Sequence, residues 1–171
     1  MHIVPANPNI REDPANTAIA YYADDVGDSD FYIEGAVRKE NREQILSFIV
    51  INQKLDARNN LIKGVVKGAE FFDAMWSHFV MTGTTIDVIE GEWMDIPLLG
   101  TNKPLRANLD AFNKAILIHP TYEDAARDGT ITGSYAKKKN YTNVTILHTL
   151  PPCPPGKNRP YKDVKVQFRK P

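Results

Sequence analysis

The sequence predicts an α+β fold, with a mixed, mainly antiparallel sheet of about five to seven strands and helices packed on it. Three stretches carry that expectation. Ile45-Leu46-Ser47-Phe48-Ile49-Val50-Ile51 is apolar and rich in β-branched residues, the pattern of a strand buried on both faces. Val65, Ala69, Phe72, Trp76 and Phe79 recur at steps of three and four, which makes one apolar helical stripe. Tyr161 to Phe168 alternates apolar with polar residues, the period of a half-buried strand.

The elements follow in order. Pro5, Pro8 and Pro14 interrupt the start, so residues 1–30 read as an irregular N-terminal segment ahead of a single domain at 31–171. Within that segment, Thr17 to Tyr22 suits a short strand or a helical turn. Asp24, Asp25, Asp28 and Asp30 surround Gly27 but lack the ligand alternation and closing Glu of a calcium loop, so they read as an acidic surface loop. Phe31 to Val37 and Ile45 to Ile51, joined by a polar turn, predict an antiparallel hairpin. Gln53 to Asn60 is a polar loop into the central helix. Thr85 to Gly91 is a further strand, and Leu98 to Ala107 a loop. Asn108 is the expected N-cap of a short helix with the stripe Leu109, Phe112, Ala115 and Ile116. Thr121 caps another, with Asp124 at the acidic position of a capping box. Gly129 and Gly133 interrupt it, and Ser134 to Lys139 continues as a basic helical turn. Asn143 to His148 and Tyr161 to Phe168 make a closing hairpin across a proline-rich connector, Pro151 to Gly156.

Composition narrows the function classes. With Lys+Arg 21 and Asp+Glu 21, the formal net charge is zero, which argues against long-range steering toward nucleic acid or acidic membranes. No apolar run reaches the roughly 18 residues that span a bilayer. Cys153 is the one cysteine, so no internal disulfide forms. The N-terminus lacks the basic and apolar regions of a signal peptide. The expectation is a soluble bacterial domain, either cytoplasmic or delivered as part of a larger secreted protein.

Strand, glycine-bearing loop, helix, strand is a βαβ-like unit, and the backbone N–H groups at such a helix start can hold an anion. The whole order is hairpin, glycine loop with helix, strand, helix, strand, strand. This resembles the GNAT superfamily of acyl-CoA-dependent N-acyltransferases over about residues 31–168. Gly64 and Gly68 stand where the outer glycines of that family's pyrophosphate loop would be. Val66 stands in the place of the middle glycine and Lys67 in the place of an aliphatic residue. Asn108-Leu109-Asp110-Ala111 matches the family's Asn-x-x-Ala helix start. Tyr135 to Asn140-Tyr141 echoes its Tyr-x-x-x-Gly-Phe ending, one residue longer. The resemblance implies acetyl-CoA or another acyl-CoA held by Lys63, Gly64, Lys67, Gly68, Ala69 and Asn108, and an amine-bearing substrate. It also implies a carboxylate base, Glu90 or Glu92 at the strand beside the cleft, and Tyr135 as the acid that protonates the leaving thiolate.

A narrower likeness is to a C-terminal domain of bacterial polymorphic-toxin proteins. Phe31-Tyr32-Ile33-Glu34-Gly35, Phe72-x-x-Met75-x-x-His78-Phe79, Ile89-Glu90-Gly91-Glu92-Trp93 and Asn108 to Asn113 carry it. It implies an effector domain with a protein partner of the immunity type, or a toxin with hydrolytic or nuclease chemistry.

The remaining residues have a plainer reading beside the chemical one. Glu34 reads as an outward strand residue. His78 complements a helix C-terminus. His119, His148 and Cys153 lack zinc-ligand spacing, and Cys153 between prolines has no helix N-terminus to activate it as a nucleophile. Lys137, Lys138 and Lys139 with Tyr135 and Tyr141 form the one basic and aromatic cluster, which reads as a solvated loop rather than a phosphate or RNA contact.

Overall fold

The computed structural model describes residues 3–5, 16–24, 31–51, 53–56, 58, 60–95, 107–151 and 160–171. They are of the α+β class and fall into two compact units, Met1–Asp87 and Val88–Pro171.

In the first unit, β1 (Ile3–Pro5), β2 (Asn16–Asp24), β3 (Tyr32–Glu40) and β4 (Glu43–Ile51) pair antiparallel in chain order. The β3–β4 turn is only Asn41 and Arg42, both left-handed at φ 50° and 73°. Two residues of positive φ give the turn whose twist matches that of the strands, and this fixes the register Lys39↔Gln44 through Tyr32↔Ile51. A separate ribbon, β5 (Gln53–Leu55) with β6 (Leu61–Lys63), follows. Asp56 shapes its turn by accepting the N–H groups of Arg58 and Asn60, each at 2.8 Å. The Asn60 side-chain amide, which donates to Asp56 Oδ2 at 3.0 Å, lowers the Asp56 carboxyl's pKa most, and these N–H bonds add to it.

The helix α1 (Gly68–Met81) packs on the face formed by Ile33, Gly35, Val37, Leu46 and Phe48. Phe72 meets Phe48 with ring centroids 5.1 Å apart. Met75 lies over Gly35, where a side chain on residue 35 would collide with the Met75 sulfur.

In the second unit, β7 (Val88–Met94), β8 (Asn143–Leu150) and β9 (Asp163–Arg169) form an antiparallel sheet in the order β7-β9-β8. Among the described residues, three short helices lie between β7 and β8 in the chain: α2 (Ala107–Ala115), α3 (Tyr122–Gly129) and α4 (Ile131–Lys138). Threonines start the last two. Thr121 Oγ1 accepts from the Asp124 N–H at 3.1 Å, and Thr130 Oγ1 accepts from the Gly133 N–H at 2.9 Å. Gly133 allows α4 to begin against the end of α3, because a Cβ there would run into the Ala126 carbonyl oxygen. Ile89, Trp93, Val164, Val166 and Phe168 face this helical layer with Leu109, Phe112, Ala125, Ala126 and Ala136, and all ten are buried.

Several expectations are corrected. The N-terminal segment read as irregular holds β1 and the nine-residue β2. The polar loop 53–60 contains most of a ribbon. β4 is not buried on both faces, since Ile49 is 50% exposed. The central helix starts at Gly68, which leaves Val65 outside it and exposed. Its buried line is Phe71, Phe72, Met75 and Phe79, with Trp76 at the margin. Asn108 is not an N-cap: it lies inside α2 and accepts the Thr132 N–H at 3.0 Å at the start of α4. Gly133 does not break a helix. The loop at 98–106, most of the aspartate cluster, and the connector with Cys153 lie outside the described residues.

Two stability predictions follow from this packing. Phe72→Ala deletes a fully buried ring and should cost about 3–5 kcal/mol in chemical denaturation. Gly133→Ala forces the α3–α4 contact apart and should cost about 1–3 kcal/mol, whereas alanine at exposed Gly83 meets nothing within 4 Å but must adopt φ +74°.

Candidate functional site

The glycine loop brings its residues to the start of α1. Lys63 ends β6 and is exposed. Gly64 packs on Phe31, whose ring carbon would lie 2.9 Å from an added Cβ. Val66 turns inward and is 1% exposed. Lys67 is the N-cap, with its side chain in solvent. Its N–H donates to Glu70 Oε2 at 2.8 Å, while its carbonyl accepts from the Glu70 and Phe71 N–H groups at 2.9 and 3.1 Å. Gly68 is buried and Ala69 half-buried behind it. Lysine has no acceptor to return Glu70's bond, so this is one arm of a capping box. A carboxylate here complements the helix dipole, and it takes a place that an external anion would otherwise occupy.

The strand carboxylates belong to the second unit. Register pairs Glu90 with Gln167 and Glu92 with Lys165 across β7 and β9, so all four side chains share one face. Glu90 is 6% exposed; its Oε2 accepts from Gln167 Nε2 at 2.8 Å and its Oε1 lies 3.3 Å from Lys165 Nζ. Glu92 stays largely in solvent, 3.6 Å from the same ammonium. The bonds to Glu90 satisfy an ion that burial alone would destabilise.

On that face His148 of β8 lies opposite Lys165, and Asp163 stands one row further along β9. His148 Nε2 is 3.2 Å from Asp163 Oδ1, a buried oxygen with no hydrogen bond among the described residues, so the contact is an ion pair only when the imidazole is protonated.

Trp93 points to the opposite face, where Phe112 of α2 meets it at 5.7 Å between centroids. That contact sets the helices on the side of β7 away from Glu90 and Glu92. Tyr135 is buried in α4, within the helical layer. The structure therefore joins Glu90 to Glu92 through Lys165 but brings Tyr135 to neither. Asn108 is engaged with Thr132, and the loop residues Lys63 to Ala69 belong to the first unit.

Other side chains have clear structural work. Lys137 Nζ lies 2.8 Å from Asp128 Oδ1, and Arg127 bridges Asp124 and Asp128 at 2.6 Å each. This clasp ties α4 to α3 and draws Lys137 out of the basic cluster. Arg127 and Lys137 hold the Asp128 carboxyl down at about 2. Asn140, left-handed at φ 66°, ends the segment after α4, and Tyr141 behind it is 1% exposed. His78 lies in the last turn of α1 and meets Tyr22 edge-on at 5.9 Å.

Residues not singled out from sequence matter as much. Gln167 and Lys165 fix Glu90. Alternation had placed them on one face of the last strand, but only the pairing with β7 gives them a partner. Asn113, buried in α2, donates to the Tyr161 carbonyl at 2.9 Å and accepts its N–H at 3.3 Å. Tyr161 then meets the Tyr122 hydroxyl at 2.7 Å, which raises its own pKa. The Trp93 indole N–H is buried without a partner among the described residues, its nitrogen 2.9 Å from where a Gly91 Cβ would stand. Among the described residues, no group of three or more His, Cys, Asp or Glu is arranged to hold a metal ion, and no helix is long and apolar enough to cross a membrane. Comparison with family models, curated proteins and solved structures finds no match to this chain.

Lys165→Met should strand the buried Glu90 charge and cost about 3–5 kcal/mol. The pair Glu90→Gln with Lys165→Met should recover much of that loss in a double-mutant cycle by denaturation. The clasp also predicts a pH dependence. Asp128 is depressed in the folded state, so its contribution is full above the ordinary aspartate pKa of about 3.9 and fades as pH falls toward about 2. Thermal melts of Asp128→Asn should lose that part of the acid sensitivity and keep the rest.

Proposed function

We propose that the chain keeps the element order of the acyl-CoA N-acyltransferases and works as a protein-interaction domain of the effector type, without acyl transfer. The observation that carries this reading is the bond from the Lys67 N–H to Glu70. An acyl-CoA diphosphate at this helix start would need to displace a carboxylate of its own sign. It would also need the place of the middle glycine, where Val66 is packed inward. The loop residues therefore do not fit the cofactor that the resemblance implies. Glu90, satisfied by Gln167 and Lys165, and Tyr135, buried among the helices, support the same reading. Architecture carries no activity by itself, and a bacterial toxin-type domain whose partner is an immunity-type protein needs a stable surface rather than a reacting centre.

A second reading, transfer of an acyl group to an amine, draws on a different observation. Asn140 adopts the left-handed conformation at the position where the acyltransferase ending has glycine, and Tyr141 is buried where it has phenylalanine. Glu92, the exposed carboxylate of the pair, would be the base.

Thermal shift with acetyl-CoA separates the two readings. A ligand at a hundred times its dissociation constant adds about 2.7 kcal/mol of stability. We expect no change in melting temperature at millimolar acetyl-CoA. A clear rise, reduced by Gly68→Val, would reverse the order of the two readings.

A further inference from the structure

On the reading of the chain as a protein-interaction domain, on which this inference rests, we propose that the sheet face of the first unit opposite α1 is the partner-binding surface, and that Glu34 at its centre takes an arginine side chain of a partner protein. Alternation along β3 sends Ile33, Gly35 and Val37 toward α1 and Tyr32, Glu34 and Ala36 to the other side. Register sets Tyr21 of β2 and Ile49 of β4 directly opposite Glu34. The rows on either side are Ala23-Tyr32-Ile51 and Ile19-Ala36-Ser47, and neither carries a charge. Glu34 is thus one carboxylate in the middle of an aliphatic and aromatic patch.

The patch is accessible. Glu34 is exposed, Ile49 is 50% exposed, and Tyr21 and Tyr32 are half-buried. The two tyrosine rings stack with centroids 5.1 Å apart and planes 27° from parallel. Burial raises both phenol pKa values, and the Glu34 charge raises them further, so the carboxylate acts on both rings. Arg38, further along the same face of β3, donates to Ser47 Oγ at 3.0 Å and pairs with Glu40 at 3.3 Å. Among the described residues no cation pairs with Glu34.

Charge selects the occupant. A partner that covered the patch with apolar groups alone would bury the Glu34 carboxylate unpaired, which strongly opposes binding. A second copy of this chain, centred on the patch about a two-fold axis, would set Glu34 against Glu34. The phosphates of nucleic acid and the headgroups of acidic lipid carry the same sign as Glu34 and are repelled. A cation answers the carboxylate, and arginine also answers the tyrosines. Its planar guanidinium stacks on an aromatic face while its fork pairs with a carboxylate, and it is more weakly hydrated than an ammonium, so it leaves water at lower cost. The isoleucines around Glu34 then meet apolar groups of the same partner. These residues stand on the open face of three strands rather than around a cleft, which suits a protein surface and not an enclosed small molecule. Tyrosine and arginine are also the side chains that most often anchor protein interfaces.

The test uses the whole chain and two libraries of short peptides, one with a fixed arginine among randomised uncharged residues and one with citrulline, its neutral isostere, in the same place. The arginine library should yield binders, read by fluorescence polarisation, that lose at least about tenfold in affinity when that arginine becomes citrulline. Glu34→Gln and Tyr32→Leu should each weaken the same peptides by at least about tenfold. Glu123→Gln, at an exposed carboxylate of the second unit, should leave them unchanged. Circular dichroism checks that each variant folds, and Glu34→Gln removes an exposed charge with almost no change of shape. Failure to select any arginine binder overturns the proposal. So do binders indifferent to Glu34→Gln, and so does a dimer in sedimentation velocity that Ile49→Lys dissolves, which would give the face to a second copy. The melt with acetyl-CoA keeps two kinds of failure apart. Peptides that fail with no acetyl-CoA shift overturn this face alone, whereas a shift overturns the interaction-domain reading beneath it.

Discussion

Met75 can lie on the sheet only because residue 35 has no side chain. At the middle of β3, Gly35 leaves a depression into which the thioether fits, and any Cβ there would meet the sulfur. The contact fixes both the height and the rotation of α1. With Met75 seated, Phe72 falls on Phe48 and His78 falls beside Tyr22. The bond from the Lys67 N–H to Glu70 is local to the helix start and travels with it. Close packing transmits that constraint because interiors have little free volume to absorb a shift.

The second unit has a different kind of economy. Its helices are short, with eight or nine residues each, and helices of that length are marginal alone. Side-chain oxygens at their ends compensate. Thr121, Thr130 and Asn108 satisfy three first-turn N–H groups, and Asp124, Arg127, Asp128 and Lys137 join α3 to α4. An asparagine that resembles a cofactor ligand in sequence is, in the folded chain, part of this end-to-end scheme.

Local pattern revealed the local structure. The β3–β4 hairpin, the Thr121 cap and the alternation of β9 were all legible, because each rests on spacing within a few residues. The phase of α1 was misread because Val65 and Val66 extend the apolar pattern beyond the helix. Position 66 is buried by the loop and position 65 is not. β2 was half legible: Thr17 to Tyr22 suits a short strand or a helical turn, and only pairing with β3 selects the strand. The carboxylates at 90 and 92 could be found, but not their meaning: Glu90 and Gln167 are 77 residues apart in the chain, and only the sheet register brings them together. Tyr135 and Glu92 looked like partners in one reaction because sequence does not say which face of a sheet a helix covers.

The pinning of Tyr161 by Asn113 bears on how this chain tolerates change. The Lys162 N–H bonds to the Leu150 carbonyl at 2.9 Å, and Asn113 grips the Tyr161 backbone from both sides. The re-entry into β9 is thus anchored to α2 and to the end of β8. The start of β9 therefore takes its register from Asn113 and from the Leu150 carbonyl, and a change at either would be felt along the whole strand.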